Sequence, residues 1–293
     1  MVFRAACLVV SFYLTTSSLA AWGQTTVYLA VPSDAKPAKV ARYTLSGLCT
    51  IDGNSLTPAP PTASLPSKHV KLVTPSTSTV EADITEFVEA KTSDLSSSHW
   101  TAEIEGIPTP FESGASLVLS SVTQTHALKP LPSKPAPADV IAFANAYAKE
   151  SFDRLLSTFA EPHADGPIET LLATAAPIAN DGANQYLFSF RQKAVVKLEK
   201  DGAPRLYEHL SMLSAALYIG SSTTGALEVR TAIVERLEGQ DPLTSHCAYA
   251  LEDGTGSRLI AFVRGDDASF TCSIYRPVES KLELLYQSEA YTP

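Results

Sequence analysis

Histidine is the first residue type to consider for chemistry, because imidazole can act as an acid–base group or a metal ligand near neutral pH. The chain has six histidines, and no two of them have the i, i+4 spacing of a helical H-E-x-x-H zinc site. The best fragment is EPHADGP, which places His163 two residues before Asp165 between two predicted helices. We take His163 and Asp165 as acid–base or metal candidates, with a helix-connecting turn as the alternative explanation.

Cysteine is the second chemically versatile residue type. Cys7 lies in a leader-like segment, so that Cys49, Cys247 and Cys272 would remain in the mature protein. In an oxidising compartment these three thiols allow one disulfide and one leftover cysteine, or a bridge to a partner. We predict a disulfide between Cys247 and Cys272, which close the stretch that runs from CAYALEDGTG to SFTC.

This pairing depends on the order of the strands. If the three predicted strands between residues 246 and 275 form a plain meander, the two cysteines are about 9–10 Å apart across two ladder spacings. A disulfide needs Cα atoms within roughly 7 Å. A Cys247–Cys272 bridge therefore requires that the third strand lie beside the first, or that the two face each other from different layers. Otherwise Cys272 could pair with Cys49.

Other catalytic motifs are missing from the sequence. There is no G-x-S-x-G elbow, no phosphate-binding P-loop and no G-x-G-x-x-G fingerprint. The adjacent carboxylates Asp266 and Asp267 are read as turn residues, since calcium would need further oxygen ligands. We therefore expect a protein without enzymatic activity, cofactor or bound metal.

Residues 1–23 are typical of a secretory signal peptide. Arg4 precedes an apolar run over residues 5–14, and small residues fit cleavage after Ala20 or Gly23. The run is well short of the roughly 20 residues that a membrane-spanning helix needs. We expect a secreted or extracellular cell-surface protein with no transmembrane span once the signal is removed.

The overall charge limits the class of partner. The chain has 22 Lys and Arg against 31 Asp and Glu, for a formal net charge of -9. Nucleic acids and anionic membranes are bound through clustered Lys and Arg, and the sequence has no such cluster. We therefore expect no nucleic-acid partner.

Residues 24–128 predict a β-rich N-terminal lobe. Short segments such as TTVYLAV, KHVKLVT and STVEADI have the period-two pattern of strands. Residues 55–67 predict an exposed Ser/Thr/Pro-rich loop. The Pro-rich segment 129–138 cannot hold a helix or a central strand. It is read as the connection between two lobes, or else as a long connection within one domain.

Residues 139–293 predict an α+β C-terminal lobe. Residues 139–161 have apolar side chains at three- and four-residue spacing, with Asp139 as a cap, and predict a helix. Two more helices are predicted by the segments PIETLLATAA and PRLYEHLSMLSAALYIG, each of which opens at a proline. The second half of QYLFSFRQKAVVKLEKDG predicts a fourth helix. The tail predicts strands joined by the turns DGTG and GDD. The expected fold class is α+β, an antiparallel sheet packed with three to four central helices.

Four motifs in the C-terminal portion carry a resemblance: LSAALYIG, the polar turn SSTTG, the strand ALEV, and the late strand SFTCSIYRP with Cys272 and Pro277. Over roughly residues 204–278 the chain resembles the Eimeria SAG surface antigens of coccidian parasites. The resemblance implies a CAP-like three-layer α-β-α sandwich, GPI anchorage and attachment to host cells. The sequence departs from that family in GALEVRTAIVERL, which lacks cysteine, and in LLYQSEAYTP, which lacks the apolar tail of a GPI signal.

These features favour a non-enzymatic secreted or cell-surface antigen whose partner is a host-cell protein or glycan. Two other classes stay open. One is a secreted hydrolase with a dispersed His/Asp site, such as His163 with Asp165. The other is an extracytoplasmic ligand-binding protein with its site in a cleft between two lobes.

Overall fold

The protein is stacked from three antiparallel sheets and, within the described residues, one helix. The computed structural model describes residues 24–32, 41–52, 55–59, 65, 67–74, 79–90, 99–105, 116–121, 128–178, 185–199, 206–222, 224–238, 246–253, 255–265, 269–278 and 281–291. The elements are β1 (Thr25–Pro32), β2 (Ala41–Asp52), β3 (Ser55–Pro58), β4 (His69–Val73), β5 (Thr79–Ala90), β6 (His99–Glu105), β7 (Ser116–Ser121), β8 (Lys129–Pro130), β9 (Lys134–Pro135), α1 (Ala138–Leu156), β10 (Ala160–Ala164), β11 (Glu169–Ala176), β12 (Gln185–Glu199), β13 (Leu206–Ser221), β14 (Leu227–Glu238), β15 (His246–Glu252), β16 (Arg258–Gly265), β17 (Ser269–Val278) and β18 (Lys281–Tyr291).

The first sheet, which we call the ring sheet, closes on itself. Its order is β1-β7-β4-β5-β6-β2-β3, and β1 also pairs with β2, so that six strands form a ring. Alternate side chains of β1 point to opposite sides: Tyr28 and Ala30 pack inside the ring, while Val27 and Leu29 pack outside it. The strands that the sequence predicted in this region are confirmed.

Two further sheets complete the stack. The central sheet has the order β18-β17-β16-β15-β8, and the helix-side sheet has the order β14-β13-β12-β11-β9, with β10 also pairing with β12. One face of the central sheet packs on the outside of the ring sheet, and its other face packs on the helix-side sheet. The helix-side sheet carries α1 on its remaining face. Strands β15 to β17 of the central sheet are therefore largely buried on both faces, whereas β18 at its edge is largely exposed.

Helix α1 is the most clearly amphipathic element. Its buried residues follow at four-residue steps: Val140, Ala144, Ala148, Phe152 and Leu156. The helix prediction is confirmed for Ala138–Leu156, but the predicted end of the helix is wrong, because strand β10 begins at Ala160. The capping detail differs, because the N-cap residue is Pro137 and makes no side-chain cap bond, while Asp139 lies in the first turn.

The predicted α+β class with three to four helices is wrong. The three further segments predicted as helices are the strands β11, β12 and β13. Residues 211–220 of β13 are all buried, because the helix covers one face of this strand and the central sheet covers the other. A strand buried on both faces has a continuous apolar run in place of alternation, and such a run also fits helical spacing. The CAP-like α-β-α sandwich is also wrong, because the described residues contain one helix and three antiparallel sheets.

The Pro-rich segment 129–138 crosses between two sheets. Its strand β8 pairs with β15 at an edge of the central sheet, and its strand β9 pairs with β11 at an edge of the helix-side sheet. Proline is tolerated at such edges because it lacks the amide hydrogen needed inside a ladder. Part of the predicted loop 55–67 is also a strand, since β3 pairs with β2.

The leader assignment lies outside the described residues, since residues 1–23 are not among them. Among the described residues, no helix combines the length and the apolar character needed to cross a membrane.

Candidate functional site

The predicted acid–base candidates lie on the surface. His163 pairs with Val195 at the edge strand β10, and the backbone N–H of Asp165 donates to the carbonyl of Lys193 at 2.8 Å. Both His163 and Asp165 are exposed. Within the described part of the chain, no group of three or more His, Cys, Asp or Glu side chains could hold a metal ion.

The predicted disulfide pair lies in a plain meander. Cys247 on β15 and Cys272 on β17 each pair with Val263 on the intervening strand β16. Two ladder spacings put their Cα atoms about 9–10 Å apart, beyond the roughly 7 Å that a disulfide allows. Both are buried, as is Cys49, and no disulfide joins these cysteines in the structure. A Cys247–Cys272 bridge would therefore require β16 to leave the sheet.

A partly buried polar group that sequence reasoning did not single out joins the central and helix-side sheets. Ser214 and Glu235 are cross-strand partners on β13 and β14, and His246 and Arg264 are cross-strand partners on β15 and β16. We call these four residues the inter-sheet cluster. Their side chains lie on the two facing sides of adjacent sheets, where Ala216 and Ala248 also pack.

The contacts within the inter-sheet cluster cross from one sheet to the other. The backbone N–H of His246 donates to Ser214 Oγ at 2.8 Å, and Ser214 Oγ donates to the carbonyl of Phe190 at 3.3 Å. Glu235 Oε2 lies 2.8 Å from Arg264 Nε and 3.6 Å from His246 Nε2. The cluster thus links strands β12 to β16 across the boundary between the sheets.

Glu235 is held in its charged form. The contact with the His246 imidazole is the largest effect that lowers the pKa of Glu235, and the charges of His246 and Arg264 lower it further. The partial burial of Glu235 opposes that shift. A charged group between two layers is stable only when it is paired. The carboxylate is therefore an anchor for the two basic residues of the central sheet.

Serine, histidine and glutamate are the residue types of a hydrolytic triad, but this geometry does not form one. In a triad the serine hydroxyl bonds to the imidazole, whereas Ser214 bonds to two backbone groups. Ser214 and His246 are 0 % and 1 % exposed, so a substrate could not reach them. The sequence signal for this cluster is a polar residue on the core face of an apolar strand, since buried histidine and arginine normally need partners.

An accessible polar site lies on the outer surface of the ring sheet. His69 and Asp83 are cross-strand partners on β4 and β5, with His69 Nδ1 2.8 Å from Asp83 Oδ1. Glu81 Oε2 lies 3.7 Å from His69 Nε2, and Glu81 Oε1 lies 4.0 Å from Lys71 Nζ. We call these four side chains the charged face. Hydrogen bonding to Asp83 raises the pKa of His69, aided by the charges of Asp83 and Glu81 and opposed by desolvation.

Gly220 marks a close approach at one end of the helix-side sheet. A Cβ atom at this position would lie 2.2 Å from Gln185 Oε1 and 2.3 Å from Arg230 Nε. Arg230 Nη2 also donates to the carbonyl of Ser221 at 2.8 Å. Glycine therefore lets two polar side chains lie directly against the β13 backbone.

Comparison with known proteins gives no match: no protein-family model, no curated protein and no solved structure is significantly similar to this chain.

Proposed function

We propose that this chain is a secreted or cell-surface protein that acts by binding, without catalysis, and that its partner is a host-cell protein or glycan. The observation that carries the proposal is the burial of Ser214 and His246 in the inter-sheet cluster. These two residues help to hold two sheets in contact and are closed to substrate, whereas Glu235 beside them is partly exposed. The leader-like residues 1–23 and the resemblance over residues 204–278 support the location and the attachment role.

The charged face is the surface that we assign to the partner. Its four side chains are exposed or half-exposed and carry both signs of charge: His69, Lys71, Glu81 and Asp83. Complementary charges at an interface select the partner and steer its approach more than they add affinity. A partner that carries both charged and hydrogen-bonding groups, such as a protein loop or a sialylated glycan, would fit this pattern.

The experiment measures binding of fluorescently labelled protein to epithelial cells and to a glycan array. We expect saturable binding that excess unlabelled protein displaces. The double variant Glu81→Lys with Asp83→Lys should lower binding at least about tenfold, because two charged contacts of roughly 1 kcal/mol each are inverted.

The matched control carries the same change in charge elsewhere. Glu150 and Asp153 are exposed acids on α1 that pair with Arg154 and Lys149. The double variant Glu150→Lys with Asp153→Lys should bind as the unaltered chain does. Equal loss in both variants would indicate a response to net charge alone, and absence of saturable binding to any cell or glycan would contradict the proposed function.

A further inference from the structure

Two buried cysteines lie on facing sheets. Cys49 belongs to β2 of the ring sheet and Cys272 to β17 of the central sheet, and both are 0 % exposed within one apolar cluster. Burial raises the pKa of Cys272, and the charge of Cys49 raises it further. Cys247 belongs to the same cluster but lies on β15, two strands away from β17.

Tyr286 fastens the two sheets beside these cysteines. It lies on β18 opposite Ile274, and the adjoining pair on the same face is Cys272 with Ser288. The Tyr286 hydroxyl donates to the backbone carbonyl of Leu48, the residue before Cys49. Burial raises the pKa of Tyr286, and charges on Cys49 and Cys272 add to that shift. This hydrogen bond ties the backbone beside Cys49 to β18, next to the position at which β18 pairs with Cys272.

The backbone of β2 is irregular at this point. The pairing of β1 with β2 shifts register between Val27 and Tyr28, opposite Cys49 and Gly47. Such a bulge bends its strand locally. A bridge needs the two strands to approach more closely than packed sheets usually do, because packed sheets are about 10 Å apart and a disulfide requires Cα atoms within roughly 7 Å. The inter-sheet disulfide of immunoglobulin domains makes the same approach.

We propose that Cys49 and Cys272 form a disulfide that joins the ring sheet to the central sheet, and that Cys247 remains reduced. The bridge rests on the proposed function only in its need for an oxidising compartment. Two thiols are oxidised to one disulfide, and a disulfide donor, such as glutathione disulfide, is reduced to two thiols that take up the two protons. The exchange passes through a mixed disulfide on one of the two cysteines.

The bridge forms before the core closes. In the folded chain, burial raises the pKa of Cys49 to about 12, and both cysteines are inaccessible. Exchange requires an accessible thiolate, so that the folded protein with both thiols reduced reacts slowly. Oxidation therefore accompanies folding, while the two segments are still exposed.

The test refolds the full chain from denaturant, once in a glutathione redox buffer and once in dithiothreitol. Each product is alkylated in denaturant, digested without reduction and mapped by mass spectrometry. We expect the Cys49 and Cys272 peptides to be joined after refolding in glutathione, with Cys247 alkylated. Alkylation of all three in both samples, or a Cys247–Cys272 peptide, would overturn the proposal.

Thermal unfolding supplies a second readout. The oxidised chain should lose about 10 °C in melting temperature when it is reduced, because the bridge closes a long loop. Cys247→Ala should keep this difference, whereas Cys49→Ala and Cys272→Ala should abolish it. The mapping uses the unaltered chain and does not depend on the variants folding.

A timed arm tests the order of events. Protein folded in dithiothreitol and then transferred to glutathione disulfide should stay reduced at Cys49 and Cys272 for hours, and rapid bridging would overturn that order. Because the oxidant is supplied in vitro, these results do not depend on secretion or on a binding partner. A failed bridge leaves the binding proposal standing, and failed cell binding leaves the bridge standing.

Discussion

Ser214 and His246 belong to different sheets and are joined by a hydrogen bond of 2.8 Å from the His246 backbone N–H to Ser214 Oγ. His246 is the first residue of β15, so its N–H lies where the ladder of the central sheet begins. The serine hydroxyl of the neighbouring sheet therefore serves as the acceptor for this buried amide. This contact fixes where the two sheets meet.

Replacing Ser214 with alanine tests that role. The variant leaves the buried N–H of His246 without its serine acceptor, and we expect a loss of about 1–3 kcal/mol in the free energy of unfolding. Urea unfolding followed by circular dichroism measures it. The exposed Ser55 on β3 is the control, and Ser55→Ala should change stability by less than about 0.5 kcal/mol. Equal effects would contradict the role of Ser214.

The pH dependence of stability should report on Glu235. Its folded-state pKa lies below the usual value of 4.5, so its contribution to stability is fully present above pH 4.5 and is lost as the pH falls through the folded value. The urea midpoint should therefore fall as the pH is lowered. Glu235→Gln should make the urea midpoint depend less steeply on pH in this acidic range. The control is Glu150→Gln on α1, which should keep the slope of the unaltered chain.

His69 should titrate above its usual range. Asp83 and Glu81 raise its pKa, so that its stabilising contribution is present below the unfolded value of 6.5 and is lost as the pH rises through the folded value. An NMR titration of the imidazole measures the pKa directly. Asp83→Asn should bring it down toward 6.5, whereas Asp153→Asn on α1 should not move it. An unchanged pKa in Asp83→Asn would contradict the contact between His69 and Asp83.

The sequence predicts an element well where one of its faces is exposed. In β5, Ala82 and Ile84 are buried while Glu81 and Asp83 are exposed, and the alternation that identifies a strand is therefore visible. Helix α1 also has one exposed face, and its four-residue spacing is visible for the same reason. The central stretch of β13 is buried on both faces, so its continuous apolar run fits the spacing of a helix as well as that of a strand.

The inter-sheet cluster could not have been predicted in the same way. Its four residues come from four strands in two sheets, and they meet only because Ser214 pairs with Glu235 and His246 with Arg264 in adjacent layers. Local periodicity carries no information on which sheets stack. The meander was one of the alternatives that the sequence left open for Cys247 and Cys272, and the strand order decides among those alternatives.

Gly220 offers a test of packing at the end of the helix-side sheet. Alanine would place a Cβ 2.2 Å from Gln185 Oε1 and 2.3 Å from Arg230 Nε, so that both side chains must move. Gln185 is only 4 % exposed, which leaves it little room, and we expect Gly220→Ala to cost about 1–3 kcal/mol. At Gly47 the nearest atom is 3.3 Å from the added Cβ, so Gly47→Ala should cost clearly less. Urea unfolding of the two variants decides the matter, because an equal or smaller loss at Gly220 would mean that Gln185 and Arg230 are not packed against β13.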